Sequence, residues 1–316
     1  MSLDTVLTIG KFDGVHAGHA QLLREVIEQA HERGLAPAVL TFDRHPACIV
    51  APDKAPRPLM TVEERCEKIR ALGVERIFVL PFTQDIASLT PEQFVERYIR
   101  DEMQAKVVFV GHDFRFGHKQ AGTPEVLREL GARYGFEVRF VEAVRRRGLL
   151  VSTSEIRHRM EAGDVSKAAR LLERPYGISG PVVAGQGIGR KQTVPTLNLD
   201  PSNEVLPRDG VYITRTFELD ALDPEKPRRW NSITNIGLRP TFDGASRTIE
   251  TFLLDTSLVK PWDTAPARIR VEFLRRVRDE RKFDDAAALK QQILRDVGRA
   301  QAFFRRLARW APRSLP

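Results

Sequence analysis

The stretch Val6-Leu7-Thr8-Ile9-Gly10-Lys11-Phe12-Asp13-Gly14-Val15-His16-Ala17-Gly18-His19, residues 6–19, decides the fold. Its apolar start predicts a β-strand, and the helical pattern that follows it ends at Gly34. The glycine-bearing turn between strand and helix brings backbone N–H groups to a helix amino terminus, an arrangement that suits phosphate. The stretch therefore predicts the first strand of an α/β sheet, with an anion site at its carboxyl end.

Four more β-branched runs, at residues 38–40, 77–80, 107–110 and 138–141, follow in the first half of the chain. Helical patterns separate them, with capping boxes predicted at Thr61 and Thr90 and a further helix start at Thr123-Pro124. Strict alternation of strands and helices predicts a doubly wound parallel sheet in this α/β half.

In the second half of the chain, apolar residues recur with a different period. A helical pattern from Ser152 to about Glu173 ends at Arg174-Pro175-Tyr176-Gly177, which places the predicted domain boundary between residues 174 and 175. We therefore expect domains at 1–174 and 175–316. Alternating runs within residues 182–273 then predict a small antiparallel β-barrel, and residues 284–307 predict one closing amphipathic helix.

Composition limits the class of protein. The 316 residues are 42% hydrophobic and 29% charged, which is typical of a folded chain with two domains. Cys48 and Cys66 are too few for a disulfide framework, and no apolar run is long enough to cross a bilayer. The start of the chain does not resemble an export signal, so we expect a cytoplasmic protein without a membrane partner. The net charge of +8 favours anionic partners.

His16 and His19 are three residues apart at a predicted helix start, so both imidazoles can face one bound anion. Such a pair is also typical of metal ligands or of surface residues. The flanking Gly10, Gly14 and Gly18 favour the anion site.

This segment resembles the His-x-Gly-His signature of nucleotidyltransferases, and residues 12–16 are similar to the adenylyltransferase half of bacterial bifunctional riboflavin kinase/FAD synthetases. The resemblance continues in order through residues 41–46, 110–117 and 152–157. All of these stretches follow predicted strands or open predicted helices, where a doubly wound sheet binds its ligand.

The resemblance implies a Rossmann-like nucleotidyltransferase domain of the HIGH type, which transfers AMP from ATP to FMN and forms FAD. On this basis His16 and His19, together with Mg²⁺, stabilise the charge on the reacting phosphates. The ATP phosphates would be bound by Gly10, Phe12, Asp13 and Gly14 in the first turn and by Ser152, Ser154 and Arg157 at a later helix start. The flavin would contact Asp113, Phe114, Arg115 and Phe116. Packing of the two phenylalanines beneath their loop stays open as the other interpretation.

The second half contains a near match to a Walker A loop at residues 185–192, but Arg190 stands where the second glycine belongs and Gln192 where Ser or Thr belongs. Residues 195–198 instead resemble the Pro-Thr-Ala-Asn motif of riboflavin kinases. The resemblance implies that Thr196 and Asn198 bind Mg²⁺, that Glu250 is the general base, and that a flap binds phosphate through Gly185, Gly187, Gly189, Arg190 and Thr196.

We therefore expect a bifunctional enzyme that converts riboflavin to FMN and FMN to FAD with ATP and Mg²⁺, as a monomer or weak oligomer. Thr193 and Leu197 depart from the kinase pattern, so one alternative is an adenylyltransferase whose kinase half only binds flavin or nucleotide. The other alternative is a basic nucleic-acid-binding protein that uses the arginines at residues 145–147 and 305–313. These runs lack interleaved aromatic residues, so we expect no nucleic-acid partner.

Overall fold

The structure is a computed structural model that describes residues 4–183, 196–220, 228–241, 244–254, 266–281, 283 and 285–310. Its packing divides the chain into two compact units, Met1–Glu155 and Ile156–Pro316. This division lies before the position at which the sequence pattern changes, because the helix that precedes residue 174 packs on strands of the second unit. The functional domain ranges 1–174 and 175–316 stay a prediction.

The first unit is built on five strands with helices between them. The strands are β1 (Thr5–Ile9), β2 (Ala36–Phe42), β3 (Arg76–Leu80), β4 (Ala105–Gly111) and β5 (Glu137–Val141). The helices are α1 (Ala17–Arg33), α2 (Ala47–Val50), α3 (Val62–Ala71), α4 (Gln84–Ser88), α5 (Pro91–Phe94) and α6 (Pro124–Tyr134). A two-stranded hairpin, β6 (Arg145–Arg146) and β7 (Leu149–Leu150), precedes the end of the unit.

The five strands pair in the order β3-β2-β1-β4-β5, and every pairing is parallel. The predicted parallel α/β sheet is confirmed. The strand order reverses direction beside β1, between β1 and β4, and ligands of such sheets bind outside the carboxyl ends of the strands at this point. The β1–α1 turn that the sequence singles out therefore lies where the fold places a ligand crevice.

Local hydrogen bonds define the helix ends much as the sequence predicts. The side chains of Thr61 and Thr90 each accept from the backbone three residues later and complete capping boxes. Gly34 ends α1 in the left-handed conformation, with φ of 65°. Beyond α5 the chain continues as a π-helix (Val95–Glu102), a widening that the sequence pattern does not indicate.

Two helices, the first of which spans the division at residue 155, precede the barrel of the second unit. The helical stretch predicted from Ser152 to Glu173 is two helices, α7 (Thr153–Glu161) and α8 (Val165–Leu172), because Gly163 takes φ of 76° between them. The strands are β8 (Tyr176–Val183), β9 (Thr196–Leu199), β10 (Gly210–Glu218), β11 (Arg229–Thr241), β12 (Gly244–Leu253) and β13 (Arg268–Arg278). They form a closed antiparallel barrel in the order β10-β11-β12-β9-β8-β13, which confirms the predicted architecture.

One long helix closes the second unit. Helix α9 (Ala286–Trp310) packs Ala300 and Phe304 on the outer face of the barrel, against Val211, Ile213 and Ile233. Asp296 of this helix, 2% exposed, accepts a hydrogen bond of 2.8 Å from Arg278 Nε of β13. The closing helix predicted from the sequence is confirmed and is fixed to the barrel by apolar contact and by a buried ion pair.

The barrel interior contains a cluster of five buried hydroxyl groups, from Thr214, Thr216, Ser232, Thr234 and Thr251. Thr214 Oγ1 lies 2.7 Å from Ser232 Oγ and 2.8 Å from Thr234 Oγ1, and Thr234 Oγ1 lies 3.0 Å from Thr251 Oγ1. Thr216 Oγ1 lies 2.9 Å from Ser232 Oγ. These hydroxyls satisfy one another, so a polar cluster is accommodated inside the barrel.

In the described part of the chain, no helix has the length and apolar character that a membrane crossing requires.

Candidate active sites

The β1–α1 turn has a backbone that most residues avoid. Phe12 has φ of 49° and Val15 has φ of 38°, although neither is glycine, and Gly14 between them has φ of 86°. Left-handed conformations of this kind cost about 1–2 kcal/mol for a residue with a side chain. Phe12 and Val15 are both buried and pack with Leu23 of α1. Their apolar contacts hold the strained turn in one shape.

His16 caps α1 and lies against His19. The Nδ1 atom of His16 accepts a hydrogen bond of 3.3 Å from the backbone N–H of His19, and the two rings stack with centroids 3.7 Å apart. Because Nδ1 accepts, the neutral ring of His16 carries its proton on Nε2 and can donate it to a ligand. A Cβ atom on Gly18 would lie 3.3 Å from the His16 ring, so this position favours glycine. The structure thus brings the two histidines together at a helix amino terminus.

A second helix start lies beside the same turn. The hydroxyl of Ser152 accepts the N–H of Glu155 at 3.2 Å and caps α7, while Thr153 Oγ1 donates to the carbonyl of Asp13 at 3.1 Å. Two helix amino termini therefore meet at the turn, and both contribute positive potential there. Ser154 is exposed in the first turn of α7.

Arg157 lies one turn beyond Ser154 on α7 and is half-buried. The Asp13 side chain has a structural contact, since its Oδ1 accepts the Leu59 N–H at 2.8 Å. This bond fixes the segment that leads into α3 against the turn.

The loop after β4 contains the residues predicted to contact flavin. Phe116 is 7% exposed and packs against Phe94 with centroids 5.8 Å apart, so its ring is part of the core. Phe114 stacks on Phe116 at 5.4 Å and stays half-exposed, while Asp113 and Arg115 are exposed. Of the four residues predicted to contact flavin, Asp113, Phe114 and Arg115 are therefore the accessible ones.

The sequence pattern does not indicate the contacts of Arg65 in α3, whose guanidinium binds two backbone carbonyls at the carboxyl edge of the sheet. Its Nη1 donates to the carbonyl of Lys11 at 2.7 Å, and its Nη2 donates to the carbonyl of Phe42. Thr41 Oγ1 also donates to the Lys11 carbonyl, at 3.2 Å. An arginine in an amphipathic helix usually lies in solvent, so the sequence holds no signal for this contact.

In the second unit, strand register brings the predicted kinase residues together. Glu250 of β12 lies opposite Asn198 of β9 on one side and Asn235 of β11 on the other. Side chains directly opposite in antiparallel strands share a face, with Cβ atoms about 4.5–5.5 Å apart. Thr196 is two residues from Asn198 and so shares this face as well. The result is a row of oxygen-bearing side chains across three strands. Asn235 is the member of this row to which the sequence pattern assigns no role.

The register also gives the direction of the Leu197 side chain, which is one of the two departures from the kinase pattern. Leu197 is buried and lies opposite Thr251, one of the interior hydroxyl residues, so its side chain points away from the row. The other departure, Thr193, lies outside the described residues, as do the predicted phosphate ligands Gly185, Gly187, Gly189 and Arg190.

The potential metal ligands differ between the two units. Within the described ranges, no three or more His, Cys, Asp and Glu side chains are grouped as metal ligands. The oxygen atoms of Thr196, Asn198 and Glu250 are hard donors of the kind that Mg²⁺ prefers.

Comparison with known proteins gives matches to both halves and to the whole chain. The FAD synthetase family model matches residues 2–155, and the riboflavin kinase family model matches residues 172–304. A curated protein of Escherichia coli strain K12, named bifunctional riboflavin kinase/FMN adenylyltransferase, is 34% identical, and the alignment covers 95% of this chain and 92% of that protein. The protein of the same name from Bacillus subtilis strain 168 is 33% identical over 96% and 93%.

A solved structure matches most of the chain. It is described as the crystal structure of a macrolide-efflux protein from Streptococcus pneumoniae, and it is 29% identical. The match covers 95% of each chain with a TM-score of 0.83.

Proposed function

We propose a reaction for each unit on the premise that this chain belongs to the family of bifunctional riboflavin kinase/FMN adenylyltransferases, whose two domains it contains. The barrel unit transfers the γ-phosphoryl group of ATP to riboflavin and forms FMN and ADP. The sheet unit transfers AMP from ATP to FMN and forms FAD and pyrophosphate. The substrates are small molecules, and we expect the chain to act as a monomer or weak oligomer.

The observation that supports adenylyl transfer best is the pair of stacked histidines at two converging helix amino termini. An FMN phosphate oxygen attacks the α-phosphorus of ATP and pyrophosphate leaves, so the protein needs no nucleophile of its own. It must stabilise the negative charge that increases on the phosphate oxygens in the transition state. The Nε2 proton of His16, the ring of His19 and the backbone N–H groups of the turn supply donors at this place.

The second helix start supports binding of the phosphates that leave. The Ser152 hydroxyl accepts a backbone hydrogen bond and still has its own proton to donate, and Ser154 is accessible in the same turn. We assign these two hydroxyls and Arg157 to the β- and γ-phosphates. Gly10, Phe12, Asp13 and Gly14 shape the turn that receives the rest of the triphosphate.

For the flavin of the adenylyl transfer we assign Asp113, Phe114 and Arg115. The half-exposed ring of Phe114 offers a flat apolar surface at the carboxyl end of β4, next to the switch point. Phe116 supports this ring from the core and takes part through that packing.

In the barrel unit, we assign Glu250 as the general base. Its carboxylate accepts the proton of the ribityl hydroxyl as that oxygen attacks the γ-phosphorus. Thr196 and Asn198 lie on the same face and would hold Mg²⁺ through their oxygen atoms. A bound Mg²⁺ would neutralise charge on the transferred phosphate.

One incubation tests the proposal. Purified protein is given riboflavin, ATP and Mg²⁺, and the flavins are separated by chromatography, with a control that lacks ATP. Formation of both FMN and FAD is the expected result. Formation of FAD from supplied FMN alone would support the alternative in which the barrel only binds its ligands. Salt-sensitive binding of nucleic acid without any flavin turnover would refute the proposal.

A further inference from the structure

Arg65 is a buried cation at the edge of the adenylyltransferase site. It is 7% exposed, and no carboxylate of the described residues lies within ion-pair distance of its guanidinium. Its Nε atom is buried without a hydrogen-bond partner. Burial lowers the pKa of Arg65, and Cys66, Asp13, Asp43 and Glu63 oppose this effect only through space. A buried charge without a carboxylate partner is costly, so its presence here calls for a function.

The guanidinium binds backbone carbonyls at two places in the site. It donates to the Lys11 carbonyl of the β1–α1 turn and to the Phe42 carbonyl at the end of β2. The Lys11 carbonyl accepts a second hydrogen bond from the buried hydroxyl of Thr41. This peptide group is therefore fixed by two donors, one from α3 and one from β2.

Peptide geometry gives the consequence for the site. In a planar trans peptide the C=O and the following N–H point in opposite directions. Because the Lys11 carbonyl is turned toward Arg65, the N–H of Phe12 is turned away from it. Phe12 has the strained φ of 49°, and its N–H donates to no residue that the structure describes. This N–H therefore points away from Arg65 and has no acceptor among the described residues.

We infer that Arg65 is a positioning residue for adenylyl transfer: it holds the Lys11–Phe12 peptide so that the Phe12 N–H faces the ATP phosphates. Its charge, which no contacting carboxylate neutralises, adds to the positive potential beneath them. This inference rests on the proposed adenylyltransferase function of the sheet unit.

Two substitutions separate the possible roles. R65M keeps most of the side-chain volume and removes the charge and both donors. R65K keeps the charge, but an ammonium group cannot reproduce the planar two-pronged contact. The matched control is R70M on the same helix, since Arg70 is exposed and lies outside the site. FMN formation by the barrel unit of the same protein is an internal control for folding and concentration.

For R65M we expect kcat for FAD formation from FMN and ATP to fall at least about tenfold, because loss of one preorganised donor typically costs about 10²–10³ in kcat. The KM for ATP should change less than kcat, since the strained peptide matters most in the transition state. R65K should lie between R65M and the parent, and R70M should match the parent. FMN formation should stay within about twofold in all three variants, a margin of about 0.4 kcal/mol.

The inference is overturned if R65M forms FAD at the parental rate, or if FAD and FMN formation fall together in a folded protein. If R65M does not fold, R65K decides, and a parental rate of FAD formation by R65K overturns the inference. A parent protein that forms no FAD would instead refute the proposed function itself, which makes the two failures distinguishable.

Discussion

Replacing His16 by Asn separates the two roles of this side chain at the start of α1. One role is structural, since Nδ1 accepts the His19 N–H at 3.3 Å and caps the helix. The other is the proposed donation from Nε2 to a phosphate oxygen. An Asn Oδ1 lies close to the position of the imidazole Nδ1 and is a good helix cap, but Asn does not extend as far as Nε2. H16N should therefore keep the cap and lose the donor.

The expected sizes of the two effects differ. Loss of a preorganised donor to a transition-state oxyanion costs about 10²–10³ in kcat, or about 2.7–4 kcal/mol. Loss of a cap costs about 1 kcal/mol of stability, which corresponds to about 2–4 °C in Tm for a unit of this size. The ring stack with His19 is lost in both H16N and H16A, so it cancels when these two variants are compared. We expect both variants to lose FAD formation and H16A alone to lose the additional 2–4 °C.

The assay follows FAD by chromatography from supplied FMN, ATP and Mg²⁺, with FMN formation from riboflavin measured in the same preparations. FMN formation should be unchanged because the barrel unit has its own site. If H16N forms FAD within threefold of the parental rate, Nε2 of His16 does not donate in the reaction and the reasoning fails.

Three further predictions concern the barrel unit. E250Q should lower FMN formation by about 10²–10⁴ while sparing FAD formation from supplied FMN, and full kinase activity would remove Glu250 as the base. D296N should lower the free energy of unfolding by about 3 kcal/mol in urea, because it breaks the buried pair with Arg278; a loss under 1 kcal/mol would contradict this. The hydrogen bond from Arg228 lowers the pKa of Glu218, so this pair stabilises the fold above the ordinary Glu value of 4.5 and loses its effect as the pH falls below it. E218Q should therefore flatten the acid limb of a stability–pH curve, and an unchanged limb would argue against the pair.

Local features of the fold could be predicted from the sequence because they depend on neighbours in the chain. The capping boxes at Thr61 and Thr90 are complete within four residues, and both are present. The β1 strand and the turn after it are specified by one continuous stretch. Glycine caused one difference, since Gly163 interrupts a stretch that otherwise has helical spacing and divides it into α7 and α8.

Features that depend on distant residues could not be predicted in this way. The strand order beside β1 and the register that places Asn235 opposite Glu250 are set by pairing across the sheet and the barrel. An arginine on a polar helix is usually exposed. Arg65 is buried because its guanidinium contacts the backbone at the carboxyl ends of β1 and β2, which are distant in sequence. The proposed roles of His16, Ser152 and the other site residues stay predictions, and the structure adds the geometry by which each can be tested.

The five hydroxyls inside the barrel have a consequence for anyone who redesigns this enzyme. Each is a partner of at least one of the others, so a single Thr-to-Val exchange, for example at Thr214, would leave Ser232 and Thr234 each with one hydrogen bond fewer at a buried position. Conversion to an apolar core would require all five positions to change at once. When the barrel is transferred to another protein or its surface is redesigned, these five residues should therefore be kept together.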